Sequence, residues 1–119
     1  MSELGKKISQ LCLTWPGTTE DVKWGADHVF SVKGKMFLIL PYESEKPWLS
    51  FKASSKAFED LVSTGLFTPA PYLARASWVM TRSPEDMDWS TIEELIRESY
   101  DLVVAKLPKK TQKELGFNL

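Results

Sequence analysis

Apolar residues recur with the period of an α-helix in three segments of the chain. The first helix is predicted from Leu4 to Leu13, and the second from a serine cap at Ser54 or Ser55 to about Ser63. The third begins with the capping box Ser90–Glu93 and ends before Pro108. The apolar stripes expected to face a core are Leu4, Ile8, Leu11 and Cys12 in the first helix, and Ile92, Leu95, Ile96, Leu102, Val103 and Leu107 in the third.

Between these helices the period changes to the alternation that is typical of strands. Lys33-Gly34 lies between two such runs and predicts a two-residue hairpin turn, because glycine adopts positive φ without strain. The order α-β-β-β-β-α-β-α with mostly short links predicts an α+β fold, in which the first and last helices pack on one face of an antiparallel sheet. The predicted strands are Glu20–Trp24, His28–Val32, Met36–Leu40, Trp48–Lys52 and Arg75–Thr81.

The hairpin predicts which side chains share a face of the sheet. If Val32 pairs with Lys35 in regular register, Phe30 lies opposite Phe37 and His28 opposite Ile39. Both faces then carry apolar residues, so each is either covered or used for contact. The predicted faces are His28, Phe30, Val32, Lys35, Phe37 and Ile39 on one side, and Val29, Ser31, Met36 and Leu38 on the other.

Composition restricts the class of protein. A chain of 119 residues with 43% hydrophobic residues predicts a single domain spanning residues 1–119 with a packed core. We expect a cytoplasmic protein with no membrane contact, because no apolar run is long enough to span a bilayer and no secretory signal precedes the first helix. The single cysteine, Cys12, excludes an internal disulfide.

Charge is balanced overall but segregated along the chain. The net charge is −1, with −6 in residues 84–102 and +3 in residues 103–119. A sequence pI near 5.8 argues against binding nucleic acid by bulk charge, so any such contact needs a local basic patch.

Few residues offer catalytic or metal-binding chemistry. His28 is the only histidine and has no nucleophile at a known spacing, and Cys12 lies on an apolar helix stripe. Glu94 and Glu98 share a helix face, but a solvated acidic face explains them. No glycine-rich nucleotide motif is present. We therefore expect a protein that is not an enzyme and holds neither a cofactor nor a metal.

Lysines and tryptophans are the remaining candidates for contact with a partner. Lys33 and Lys35 flank the hairpin tip, and Lys106, Lys109, Lys110 and Lys113 surround the end of the last helix. Solvated surface is the default interpretation, although lysines at a hairpin tip can also follow phosphates. Trp15 and Trp24 stand at element ends, where such rings usually cover the edge of a core.

The order and spacing of several short motifs resemble those of the bacterial YjbR/MmcQ family over nearly the full length. The matching pieces are Pro16-Gly17-Thr18, Trp24-Gly25, Val32-Lys33-Gly34-Lys35-Met36-Phe37, Phe51-Lys52, Pro69-Ala70-Pro71-Tyr72, Trp78-Val79, Ser99-Tyr100 and Lys106-Leu107-Pro108-Lys109-Lys110.

The resemblance implies a fold similar to CyaY, the bacterial frataxin, and a "double wing" arrangement for which DNA binding has been proposed. Frataxin-like iron handling is not implied, because the first helix here has Glu3 followed by Lys6 and Lys7. Two classes of function stay open. One is weak, largely sequence-independent DNA binding, and the other is binding of a protein or small molecule near Trp24, Pro69, Tyr72 and Trp78. The candidate DNA contacts are Lys33, Lys35, Lys52, Arg75, Lys109 and Lys110.

Overall fold

A six-stranded antiparallel sheet forms the centre of the molecule, as seen in a computed structural model that describes residues 3–23, 27–41, 48–70, 73 and 76–117. The strand order across the sheet is β1-β2-β3-β4-β6-β5. The α+β class and the antiparallel sheet are therefore confirmed. The strands are β1 (Thr18–Lys23), β2 (Asp27–Val32), β3 (Lys35–Pro41), β4 (Leu49–Lys52), β5 (Thr68–Pro69) and β6 (Trp78–Thr81), and the helices are α1 (Glu3–Cys12), α2 (Ser55–Ser63), α3 (Trp89–Ala105) and α4 (Lys109–Glu114).

The main core lies between one face of the sheet and the helices. Ile8 of α1 and Ile96 of α3 are fully buried there. The rings of Phe37 and Tyr100 pack edge to face, with ring centroids 5.4 Å apart. The first and last predicted helices thus share one face of the sheet, as their apolar stripes indicate. The side chains of α2 that pack on the same core are Phe58, Leu61 and Val62.

A second, smaller apolar cluster lies on the opposite face of the sheet. Its buried members are Val29, Ile39, Ala70, Trp78 and Met80. Both faces therefore exclude water over the central strands, which explains why β3 carries the continuous apolar run Met36–Leu40.

The predicted register of the hairpin is wrong beyond its first pairs. Val32 lies opposite Lys35 as expected, but Phe30 lies opposite Leu38 and not opposite Phe37, because the register shifts between Phe30 and Ser31. This β-bulge moves Leu38 to the main core and Ile39 to the smaller cluster, the reverse of the prediction. Phe37 keeps its predicted place on the face of Phe30 and Val32, which is the face of the main core.

The last long helix begins before its predicted capping box. Its cap is Asp88, with extended φ −63° and ψ 140°, so Ser90 lies inside the first turn. Leu95 is only half-buried and Ile96 carries the central contact. The sequence does not predict β5, α4 or the short 3₁₀ helix Pro84–Asp86, since each is too short to show a period.

The second helix follows its local signals closely. Ser54 is extended, and its hydroxyl accepts a hydrogen bond from the amide of Ala57 at 3.1 Å. The helix ends at Ser63, and Gly65 follows with φ +81°. None of the helices in the described ranges is both long and apolar enough to cross a membrane.

Candidate nucleic-acid interface

Four lysines lie at one end of the sheet, which we call the lysine end (Lys33, Lys35, Lys52 and Lys106). Lys33 and Lys35 belong to the β2–β3 turn, where Val32 pairs with Lys35. Because β3 and β4 are antiparallel, with Leu38 opposite Phe51, the start of β3 lies beside the end of β4. The end of β4 carries Lys52.

The tip of the hairpin is built by two residues in the left-handed region. Lys33 has φ +50° and Gly34 has φ +81°, as a two-residue turn with the twist of its flanking strands requires. Lys33 and Lys35 are both exposed. The turn therefore projects two ammonium groups beyond the end of the sheet.

A cleft of about 410 Å³ lies at the lysine end, between the sheet and the end of α3. Its wall combines charged and apolar side chains from β3, β4, β6 and the last turn of α3. The lining residues are Lys35, Met36, Lys52, Trp78, Val103, Lys106 and Leu107.

Lys52 and Lys106 face each other within this cleft. Burial lowers the pKa of the Lys52 ammonium below its ordinary value, and the nearby positive charge of Lys106 lowers it further. Lys52 Nζ donates a hydrogen bond to the carbonyl oxygen of Ala76 at 3.0 Å. Among the described residues, no carboxylate forms an ion pair with any lysine of the lysine end. An anion placed here would offset a repulsion that the protein leaves uncompensated.

The backbone around Lys52 is held by two serines. The buried hydroxyl of Ser99 accepts a hydrogen bond from the Lys52 amide at 2.9 Å and donates one to the carbonyl of Phe37 at 2.5 Å, so it ties α3 to two strands. Ser77 has φ +64°, which is strained for a residue with a Cβ, and its carbonyl accepts from the amide of Ala53. These contacts fix the end of β4 and thereby the stem of Lys52.

Helix α4 packs near the same end of the sheet. The side-chain amide of Gln112 donates to the carbonyl of Leu107 at 2.8 Å, which holds α4 against the end of α3. Leu115, the residue after α4, and Val32, the last residue of β2, both pack around Gly17. A Cβ placed on Gly17 would lie 2.6 Å from the Leu115 side chain and 3.4 Å from the Val32 side chain. The end of α4 therefore lies beside the strand that leads into the hairpin tip. The exposed Lys109 and Lys110 begin α4.

The structure brings together only some of the predicted contact residues. Lys35 and Lys52 share the cleft, and Lys33 is on the adjoining turn. Arg75 lies outside the described residues, as do Trp24 and Tyr72 of the alternative site. The other residues of that alternative site are described: Pro69 is exposed in β5 opposite Val79, and Trp78 lines the lysine cleft with only 4% of its surface exposed.

Acidic residues gather on the opposite side of α3, in a groove against α1. Arg97 stacks over Trp15 with its guanidinium carbon 5.1 Å from the ring centroid, and its Nε donates to Asp101 at 3.0 Å. On a helix, the groove residues project away from Val103, Lys106 and Leu107. The groove of about 450 Å³ is lined by Leu11, Trp15, Glu93, Glu94, Arg97, Glu98 and Asp101.

His28 and Cys12 lie elsewhere, in the interior between α1 and the sheet. His28 is 6% exposed, and its Nδ1 lies 3.1 Å from Oε2 of Glu20. The same oxygen accepts a hydrogen bond from the Ser9 hydroxyl at 2.9 Å. Ser9 therefore donates its hydroxyl proton to the carboxylate of Glu20 and not to the imidazole of His28. A catalytic serine would instead form a hydrogen bond with the histidine that acts as its general base. Burial, with a smaller contribution from Glu20, raises the pKa of the Cys12 thiol to about 12.

A family model described as YjbR matches residues 13–102 of the chain. The chain belongs to the YjbR family. This confirms the resemblance seen in the short motifs. The crystal structure of Deinococcus radiodurans protein DR2400, which carries the family-model domain DUF419, shares the fold with a TM-score of 0.85 and 24% sequence identity, over 96% of this chain and 88% of that chain. No curated protein matches the chain significantly.

The YjbR match covers only part of the lysine end. Lys33, Lys35 and Lys52 lie within the matched residues, whereas Lys106 and α4 lie beyond them. The sequence places Lys106 in the C-terminal lysine group, whose members can contact phosphates, but nothing in the sequence pairs it with Lys52. Its separation from Lys52 along the chain hides their proximity, which only the packing of α3 on the sheet creates.

The depressed pKa of Lys52 gives a test of this arrangement in the YjbR protein. Replacing Lys106 with glutamine should raise the pKa of Lys52 part of the way to its ordinary value, because the repulsion disappears while the burial remains. Lysine side-chain carbon chemical shifts followed against pH by NMR measure this directly. A matched Lys109→Gln variant should leave the Lys52 titration unchanged. An unaltered Lys52 titration in Lys106→Gln would contradict the geometry.

Proposed function

We propose that this YjbR protein is a non-enzymatic module that binds DNA through backbone phosphates at its lysine end. The observation that supports the proposal is the convergence of Lys35, Lys52 and Lys106 from three elements, with no carboxylate paired to them among the described residues. Phosphate contacts of this kind carry no sequence information. The binding is therefore largely independent of sequence.

The remaining lysines extend this surface. Lys33 stands at the hairpin tip and can follow the phosphate backbone as a wing does, and Lys109 and Lys110 lie at the start of α4. Opposing them is a net charge of −1, which makes the binding weak. The acids of the α1–α3 groove repel DNA less than composition suggests, because they project from another face of α3 and salt screens charges beyond about 8 Å.

The non-enzymatic part of the proposal rests on the two candidate nucleophilic or basic groups. The thiol of Cys12 stays protonated at neutral pH, and the imidazole of His28 is held by Glu20 inside the core. Within the described residues no group of three metal-binding side chains converges, so the proposal includes neither a metal nor a cofactor. A cytoplasmic location is also part of it, since a lone buried thiol needs no oxidising compartment.

A second candidate is the binding of a small anionic molecule or an acidic protein segment. The observation that favours it is the apolar part of the cleft, where Met36 and Trp78 lie beside the lysines. Such a ligand would use the same cleft without the hairpin tip or α4, so failure to bind DNA leaves this candidate in place.

The DNA proposal is tested by the salt dependence of binding. Four phosphate contacts give a slope of about −3.6 in log affinity against log salt for duplex DNA. We expect affinity for a short labelled duplex to fall about tenfold for each doubling of salt above about 50 mM. Fluorescence anisotropy measures it. The proposal would be rejected if no binding is seen at about 50 mM salt with about 100 μM protein. An affinity that does not change with salt concentration would also reject it.

A further inference from the structure

Part of the cleft at the lysine end is out of reach of duplex DNA. A duplex presents its phosphates on the outside of a wide cylinder, so they contact exposed ammonium groups such as those of Lys33 and Lys106 and leave the apolar part of the cleft empty. The cleft has a volume of about 410 Å³, within the range of roughly 300–1,000 Å³ found for small-ligand sites. The occupant of the cleft is therefore a single group that projects from an unpaired strand.

The lining of the cleft restricts that group further. Every charged residue in the wall is a lysine, so the occupant carries negative charge. Met36, Val103 and Leu107 add apolar surface beside the lysines. A phosphate alone would neutralise the ammonium groups but leave the apolar surface in contact with water. A nucleotide also carries a base with apolar faces, which can cover that surface.

The position of the charges sets the orientation of such an occupant. Lys52 is held at a fixed place by its bond to the carbonyl of Ala76 and by the Ser99 contact to its amide. Lys106 faces it from α3, and Met36 lies next to Lys35 at the start of β3. Lys52 lies directly opposite Trp78 in the β4–β6 ladder, so the ammonium pair and the apolar side chains line one cleft together.

We infer that the cleft receives one unpaired nucleotide, with its phosphate between Lys52 and Lys106 and its base against Met36 and the small exposed edge of Trp78, so that the protein prefers single-stranded to duplex DNA. This inference rests on the proposed function, because it names the form of DNA that the lysine end takes. A base stacked on an aromatic side chain strengthens binding of a strand by about fivefold or more. A base paired within a duplex cannot contribute in this way.

The test compares a labelled thymidine 12-mer with a mixed-sequence duplex of the same length, by anisotropy at low salt. We expect the single strand to bind about fivefold tighter or better. Met36→Ala should weaken single-strand binding and leave duplex binding unchanged, since it removes apolar surface and no charge. Lys106→Gln removes a phosphate contact and should weaken the binding of both probes. The matched control, Lys109→Gln with Lys110→Gln, should weaken both probes by the same factor.

The outcomes separate this inference from the proposal on which it rests. Equal affinity for both probes, tighter duplex binding, or a preference that survives Met36→Ala would overturn the inference and leave DNA binding standing. Absence of binding to both probes would overturn the two together. As a second arm, thymidine 5′-monophosphate should displace the single strand at lower concentration than inorganic phosphate does. Equal potency of these two competitors would show that the cleft takes the anion without the base, and would overturn the inference.

Discussion

Reversing the charge of the hairpin tip should abolish DNA binding, and this is one of the two largest effects that we expect. Lys33→Glu with Lys35→Glu removes two phosphate contacts and places two carboxylates where the backbone would lie. It also puts a carboxylate at the cleft, where it would pair with Lys52 or Lys106 and compete with phosphate. We expect a loss of about 100-fold or more, which moves a non-specific Kd of roughly 10⁻⁴–10⁻⁶ M to roughly 10⁻²–10⁻⁴ M, at or beyond the limit of the assay.

The fold should survive this double substitution. Both lysines are exposed, and neither forms an ion pair among the described residues. Gly34 is retained, so the turn keeps the residue that takes φ +81°. Circular dichroism and the thermal midpoint check this before binding is measured by anisotropy.

A control with the same change in charge separates the site from the net charge. Lys6→Glu with Lys23→Glu changes the net charge by the same amount. Lys6 lies on α1, and Lys23 lies opposite Asp27 in the β1–β2 ladder, at the end of β1 that is far from the hairpin tip. This variant should keep most of the affinity, since salt screens charges beyond about 8 Å. Equal losses in the two variants would contradict the assignment of binding to the lysine end.

Part of this site follows from the sequence. Lys33-Gly34 predicts a hairpin tip with lysines on both sides, because the turn requires positive φ and glycine supplies it at one position. The proximity of Lys52 to Lys106, in contrast, has no local signal in the sequence. It depends on where α3 crosses the sheet, and that crossing is set by the sum of many apolar contacts, such as those of Ile96 and Tyr100, and not by any local signal.

The same distinction applies to the fold. Helical periods and the Ser54 cap predict α1, α2 and α3, and the order of elements then predicts the antiparallel sheet. The bulge is hidden because every residue in the run Met36–Leu40 is apolar, so no polar position marks the phase of the strand. With both faces of the sheet buried, a one-residue shift exchanges one apolar side chain for another, and only packing against the helices decides between them.

Packing also decides which residue of α3 makes the central contact with the core. Replacing that residue gives the largest loss of stability that we expect. The predicted stripe includes both Leu95 and Ile96, but the structure buries Ile96 completely and leaves Leu95 half-buried. Ile96→Ala should lower the free energy of unfolding by about 2–5 kcal/mol, because a cavity remains between α3 and the sheet. Leu95→Ala is the matched control, since it deletes a side chain of similar size one residue away.

Urea denaturation followed by tryptophan fluorescence measures both variants. We expect Leu95→Ala to lose clearly less than Ile96→Ala, because water already reaches part of the Leu95 side chain and fills the space left by its removal. The slope of the transition should stay the same, so that the midpoint reports stability alone. Equal losses would mean that α3 is rotated by a residue relative to the sheet. That rotation would also turn Lys106 relative to Lys52, so this stability measurement bears directly on the geometry of the lysine cleft.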